Sequence, residues 1–142
     1  MDDFKQKFDI DNLTIKRVGP WVISLRPVQV TISSLILSLD RECYDIGDLT
    51  DSESQELGRA FKTIKEIYAN TFSPDKVNYL LLMMVDKQVH FHVIPRYERD
   101  VIFMDRRFRD EHWPKPANVL STLDFDNQLL IQLKEYMEVN HV

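Results

Sequence analysis

One cysteine, three glycines and no long apolar run set the first limits on this chain of 142 residues. A lone Cys43 cannot form an intramolecular disulfide, and a zinc site built on cysteines is excluded. That count suits a reducing compartment. The longest apolar stretch, Tyr79 to Val85, falls far short of the roughly 20 residues that a spanning helix needs, so no membrane partner is expected. A net positive charge is lacking too. A formal net charge of -5 provides no general attraction for nucleic acid or anionic lipid, so no nucleic-acid partner is expected. Any phosphate must then be held by a local arrangement of donors. The opening Met1-Asp2-Asp3-Phe4 carries acid where a secretory signal carries basic charge, and a cytoplasmic location is the expectation. What remains is ordinary for a globular domain: 44% hydrophobic and 29% charged residues, in a length that suits one core.

The first stretch, Asp2 to Phe8, suits a short amphipathic helix with Phe4 and Phe8 on one side. Leu13–Val18 and Trp21–Leu25 alternate in polarity around Gly19-Pro20, which predicts an antiparallel hairpin. Arg26-Pro27 breaks the pattern, and Ser34–Leu39 is a third strand candidate. The clearest helix starts after Leu49. Thr50 is its expected N-cap, and Glu53 three residues on completes a capping box. Leu57, Phe61, Ile64, Tyr68 and Phe72 make its apolar stripe, and Ser73-Pro74-Asp75 ends it. Val77–Met84 and Val89–Ile94 are joined by too few residues for a crossover, so they are expected to pair antiparallel, with Pro95 closing the second. Glu98 to Ala117 reads as irregular and polar. A last amphipathic helix is expected from Asp126 to about Glu138, burying Leu129, Leu130, Leu133 and Tyr136. The fold class is α+β around an antiparallel sheet.

Alternation along the strand containing Val89-His90-Phe91-His92-Val93 puts Gln88, His90 and His92 on one face and the apolar residues on the other. Two imidazoles about 7 Å apart, the rise of two strand residues, can exchange protons near neutral pH, attack an electrophile or bind a metal. The remaining histidines, His112 and His141, share no such pattern, and His141 reads as incidental.

Gln88-Val89-His90-Phe91-His92-Val93-Ile94-Pro95-Arg96 resembles the signature of the histidine triad family, in which three histidines alternate with apolar residues and Pro-Arg often follows. Trp21 to Pro27, Ser34 to Leu37, Leu49-Thr50, Pro74 to Tyr79 and His112-Trp113-Pro114 are similar in order to segments of small bacterial members. The resemblance covers roughly residues 12 to 116. It implies a sheet of about five antiparallel strands with a long helix packed on it. Residues 1–105 would form this domain, and 106–142 a C-terminal extension with a helix packed on it. It also implies a homodimer and a nucleotide substrate, attacked at the α-phosphorus to form a nucleotidyl-histidine that water or another acceptor releases. By that resemblance His90 is the nucleophile, with its other ring nitrogen held by a backbone carbonyl, and His92 contacts the phosphate. Arg26, Asn78 and Arg96 are the candidates to touch substrate, although Arg26 and Asn78 read equally well as structural strand-end residues. The scheme requires no metal and no cofactor. Substrates of the diadenosine polyphosphate or nucleoside phosphoramidate type are implied.

The chain departs from that pattern at Gln88, where the first histidine is expected. Gln donates hydrogen bonds but cannot exchange a proton. Ser33 and Met84 stand near positions where small members carry a glycine and an asparagine. Two other readings follow: a nucleotide-binding protein that has lost catalysis, and a metalloprotein using His90 and His92 with Glu98 or His112. Against the second stand the three glycines, too few for the turns of a small metal-binding barrel. The five arginines between 96 and 109 suit phosphate, but such a run is more often a solvated loop paired with its own acids, Glu98, Asp100 and Asp105.

Overall fold

The computed structural model describes residues 1–140; His141 lies outside the described residues. Two short helices, α1 (Asp2–Lys7) and α2 (Ile10–Leu13), lead into β1 (Thr14–Val18), β2 (Trp21–Leu25) and β3 (Leu35–Leu39). The long helix α3 (Asp51–Ala69) follows, then β4 (Lys76–Leu80), β5 (His90–Arg96), the strands β6 (Val101–Phe103) and β7 (Arg106–Phe108), and α4 (Asn127–Asn140). The main sheet has five strands in the order β1-β2-β3-β5-β4, and each adjacent pair is antiparallel. This is the expected α+β architecture.

The start of α3 is where sequence and packing agree best. Thr50 Oγ1 accepts the Glu53 N–H at 3.1 Å, and Glu53 Oε1 accepts the Thr50 N–H at 2.8 Å. That reciprocal pair satisfies two of the helix's orphan donors. Arg41 forks onto the same carboxylate, Nε to Oε2 at 2.7 Å and one terminal amine to Oε1 at 2.8 Å. The Trp21 indole N–H donates to the Glu53 carbonyl at 2.9 Å, which fastens the helix start to β2.

Strand alternation then sorts the sheet into two unlike faces. Trp21, Ile23, Leu25, Leu35, Leu37, Leu39, Val89 and Val93 join Ala60, Ile64 and Ile67 of α3 and Leu129, Leu133 and Met137 of α4 in the main core. Val22 and Ile36 face the other way and form a smaller core with Phe4, Phe8 and Ile10. The helices α1 and α2 therefore cover part of the face that carries the even-numbered residues of β5.

Several boundaries differ from expectation. β4 ends at Leu80 rather than Met84, and α3 ends at Ala69, with Phe72 buried beyond it. Pro95 does not close β5; it pairs with Val77. Its carbonyl points toward Thr31, on the side where β3 has already ended at Leu35↔Val93, so the missing N–H is not needed. The segment read as irregular holds the β6–β7 hairpin, turned through Met104 (φ 51°) and Asp105 (φ 61°). A turn with both φ values positive is usually announced by Asn-Gly, and Met-Asp carries no such signal. The 105/106 division falls inside this hairpin, and α4 shares the main core. In α4, Met137 is fully buried where Tyr136 is only partly so.

Candidate functional site

His90 and His92 project from the even face of β5 and lie against each other, ring centroids 4.9 Å apart and planes at 77°. That is closer than the spacing along the strand, because the rings lean together. Both are buried, at 1% and 8% exposure. The cover is aromatic: the Phe4 ring lies 5.0 Å and the Phe8 ring 5.8 Å from that of His90, and Phe8 lies 6.2 Å from that of His92.

Hydrogen bonding makes the two imidazoles chemically different. His90 Nδ1 stands 2.6 Å from the Gln88 carbonyl oxygen. A carbonyl can only accept, so Nδ1 carries the proton and Nε2 keeps its lone pair. At His92 the order is reversed: Arg26 Nε donates to Nδ1 at 3.3 Å, which leaves the proton on Nε2. One imidazole thus presents an acceptor and its neighbour a donor. Burial, chiefly, holds the His90 pKa below its ordinary value. The His92 value is pushed down to about 4, by burial first and then by the neighbouring His90 and Arg26. Both rings are therefore neutral at pH 7, the state that can act as a nucleophile.

The pair opens on a cavity of about 470 Å³. Its walls are Lys7 and Phe8, Arg26 to Val28, the 82–86 loop ahead of β5, and Val119 with Leu120. Two cations and one carboxylate, Asp86, are set in a largely apolar rim on which Met84, Val85 and Leu120 are more than 80% exposed. Arg26 is the expected substrate residue that the fold brings to the histidines.

The other sequence candidates are held elsewhere. Gln88 is buried, and its side-chain amide is spent on backbone: Nε2 donates to the Leu39 and Arg41 carbonyls at 2.8 and 2.6 Å, and Oε1 accepts from Cys43 N–H at 3.1 Å. Arg96 shares the histidine face but lies four residues beyond His92, about 13 Å along the strand. It forks onto Asp110 at 2.7 and 3.2 Å and donates to Asn78 Oδ1 at 3.0 Å and to the Lys115 carbonyl at 2.7 Å. Asn78 and Arg96 border a separate cleft with Trp113 and Pro114. His112 borders a third cleft beside β7. Among the described residues no group of three or more His, Cys, Asp or Glu is placed to hold a metal ion, so the third ligand that a His-x-His metal site needs does not converge on His90 and His92. The arginine run divides: Arg107 and Arg109 pair with Asp100, Arg99 with Asp75, and Arg96 with Asp110.

Ser33 has φ 69°, a left-handed conformation that favours glycine. It is held there by Tyr97, whose hydroxyl lies 2.8 Å from Ser33 Oγ, and by Tyr68, whose hydroxyl donates to the Ser33 carbonyl at 2.6 Å. Sequence reasoning missed Lys7, Asp86 and the role of Phe4 and Phe8. The four-residue spacing of the phenylalanines marks a helix face, but nothing local says that the face covers the histidines.

No family model matches the chain, and no curated protein sequence is significantly similar to it. Solved structures do match. A histidine triad protein from Marinobacter aquaeolei superposes with TM-score 0.71 at 18% identity, over 94% of this chain and 91% of that one. A histidine triad protein from Bradyrhizobium japonicum gives TM-score 0.70 at 18% identity, over 92% and 90%. A diadenosine triphosphate hydrolase from Plasmodium falciparum gives 0.62 at 12% identity, over 92% and 74%. The fold of this chain, five antiparallel strands with the long helix on one face, is thus the histidine triad fold.

Proposed function

We propose that the chain is a nucleotide hydrolase or nucleotidyl transferase acting at the α-phosphorus of a nucleoside phosphate compound through a nucleotidyl-His90 intermediate. The observation that carries this reading is the pairing of ring nitrogens: a lone pair on His90 Nε2 beside an N–H on His92 Nε2, both lining one cavity. The His90 lone pair attacks phosphorus, and the bond to the group beyond the α-phosphate breaks with its electron pair leaving on that group. His92 and the terminal amine of Arg26 that Val28 does not engage donate to the phosphoryl oxygens, where charge accumulates. Water then attacks the phosphorus, the P–Nε2 bond breaks with its electron pair returning to His90, and the water gives up a proton to bulk solvent as the nucleoside monophosphate leaves. Splitting one displacement into two is what covalent catalysis provides.

The position of Gln88 bears on the leaving group. Its amide cannot exchange a proton and is turned into the β3–β5 junction. A polyphosphate departs as a stabilised anion, whereas an amine needs a proton as it leaves. The reading therefore favours diadenosine polyphosphates over phosphoramidates. The likeness to a diadenosine triphosphate hydrolase supports the same class. A homodimer belongs to this reading too, since β4 ends the sheet and a second copy can extend it.

A second reading is favoured by the 1% exposure of His90 under Phe4 and Phe8: a nucleotide-binding protein without turnover. Incubation with a diadenosine polyphosphate and with adenosine phosphoramidate, following AMP release and intact mass, separates the two. Release of AMP with a nucleotidyl adduct, both lost in His90→Ala, is the expected result. AMP binding without release or adduct would sink the catalytic reading and leave the binding one.

A further inference from the structure

Lys7 and Asp86 are 79 residues apart in sequence, and their side chains meet at 2.7 Å. Lys7 ends α1, while Asp86 belongs to the loop that leads into β5. Both line the cavity that holds His90, His92 and Arg26. The contact therefore joins the two walls of that cavity, the α1 side and the 82–86 side. The Lys7 ammonium stands 5.5 Å from the centre of the Phe8 ring, which itself packs on both histidines. A direct line of contacts runs from the ion pair to the proposed nucleophile.

The pair is poorly suited to be a structural staple. The Lys7 side chain is 51% exposed and that of Asp86 is 21% exposed, and an ion pair so open to water contributes little to stability. Phe4, Phe8 and Ile10 already fix α1 through their burial on Val22 and Ile36. As a phosphate ligand, Lys7 has what the site otherwise lacks. Arg26 is partly engaged, by His92 and by the Val28 carbonyl, and the chain as a whole is acidic. A mobile ammonium is a good point-charge partner for phosphate. Asp86 puts a negative charge on the wall of the same cavity and so opposes any anion that enters.

We propose that Lys7 is a phosphate-binding residue of this site, held in reserve by Asp86 and handed over to the phosphate when a nucleotide binds. This rests on the nucleotide reading of the cavity. In the exchange, Lys7 leaves one anion for a more highly charged one, and α1 is drawn onto the bound molecule with Phe8 still packed on the histidines. Asp86 sets the threshold: it keeps the ammonium over the opening and discriminates against weakly charged ligands.

The two partners of a structural ion pair shift binding in the same direction when removed. The two partners of an exchange pair shift it in opposite directions. The test measures AMP affinity by calorimetry on the full chain for wild type, Lys7→Met, Lys7→Arg, Asp86→Asn and the double variant Lys7→Met with Asp86→Asn. Thermal melting of each variant checks that it is folded. The expected result is AMP binding weakened roughly tenfold in Lys7→Met, largely kept in Lys7→Arg, and tightened roughly threefold in Asp86→Asn. The double variant should gain less over Lys7→Met than Asp86→Asn gains over wild type, because only relief of the carboxylate's repulsion is left once the ammonium is gone. Wild-type binding of AMP with both single variants unchanged, or both weakened alike, would overturn the exchange and leave the nucleotide reading standing. Absence of AMP binding by the folded wild type would overturn both.

Discussion

Gln88 Oε1 accepts the backbone N–H of Cys43 at 3.1 Å, across 45 residues of chain. With the two bonds from Nε2 to the Leu39 and Arg41 carbonyls, this side chain fastens the end of β3 to the start of β5. It does so while its own carbonyl sets the tautomer of His90. Restoring the triad by Gln88→His should therefore not restore a proton donor. An imidazole offers one donor and one acceptor in its neutral state, so at least one buried backbone group loses its partner, at a cost of about 1–3 kcal/mol. The expected outcome is a lower denaturation midpoint and no gain in AMP release. A faster enzyme of undiminished stability would mean that the position belongs to the phosphate and not to the β3–β5 junction.

Acid should affect stability and rate together. The pKa of each histidine is lowered by burial, so between its ordinary value of 6.5 and its folded value the unfolded chain binds more protons. The stability each ring contributes is whole above pH 6.5 and is lost as pH falls, for His92 down to about 4. After discounting for the solvent that reaches the ring, the loss at His92 is roughly 1–2 kcal/mol. Denaturation midpoints measured from pH 8 to pH 4 should fall across this window, and fall less in His92→Gln. In kcat/KM, the acid limb should lie below 6.5, because attack needs a neutral His90. A limb at or above 6.5 would contradict the burial of the pair.

Arg96 and Asp110 should behave as a structural unit. Their side chains are 4% and 2% exposed, and the Tyr97 N–H donates to the same carboxylate at 3.2 Å. Asp110→Ala leaves a guanidinium buried and unpaired, which costs about 3–5 kcal/mol. The expected readout is a large fall in melting temperature with AMP affinity of the folded fraction unchanged. A variant of normal stability that binds AMP poorly would return Arg96 to the substrate.

At Ser33, two opposing terms can be separated by paired substitutions. Ser33→Ala removes the buried contact with the Tyr97 hydroxyl and keeps the positive φ, so a loss of about 1–2 kcal/mol is expected. Ser33→Gly loses the same contact but relieves the left-handed backbone by about 1 kcal/mol. Glycine should therefore be the milder change in chemical denaturation. The reverse order would show that the left-handed backbone carries little strain at this bend, because both variants lose the hydroxyl contact alike.

The elements of this protein whose signals are local could be read without the fold. Thr50 and Glu53 announce α3 because a capping box is completed within four residues, and alternation alone puts His90 and His92 on one face of β5, because the strand period is fixed by covalent geometry. The α+β class and the antiparallel sheet followed from the same short-range rules. What only the tertiary structure decided lies in contacts between residues far apart in the chain. Gln88 shares the histidine pattern, yet its amide bonds to Leu39, Arg41 and Cys43, partners that no local pattern names. Arg96 follows the motif directly, yet Asp110 holds it away from the cavity. Phe4, Phe8 and Lys7 belong to the site only because burial of the sheet's second face brings α1 over β5. A polar side chain is claimed by whichever partner the folded chain brings within about 3 Å, and that distance is fixed by packing rather than by position in the sequence.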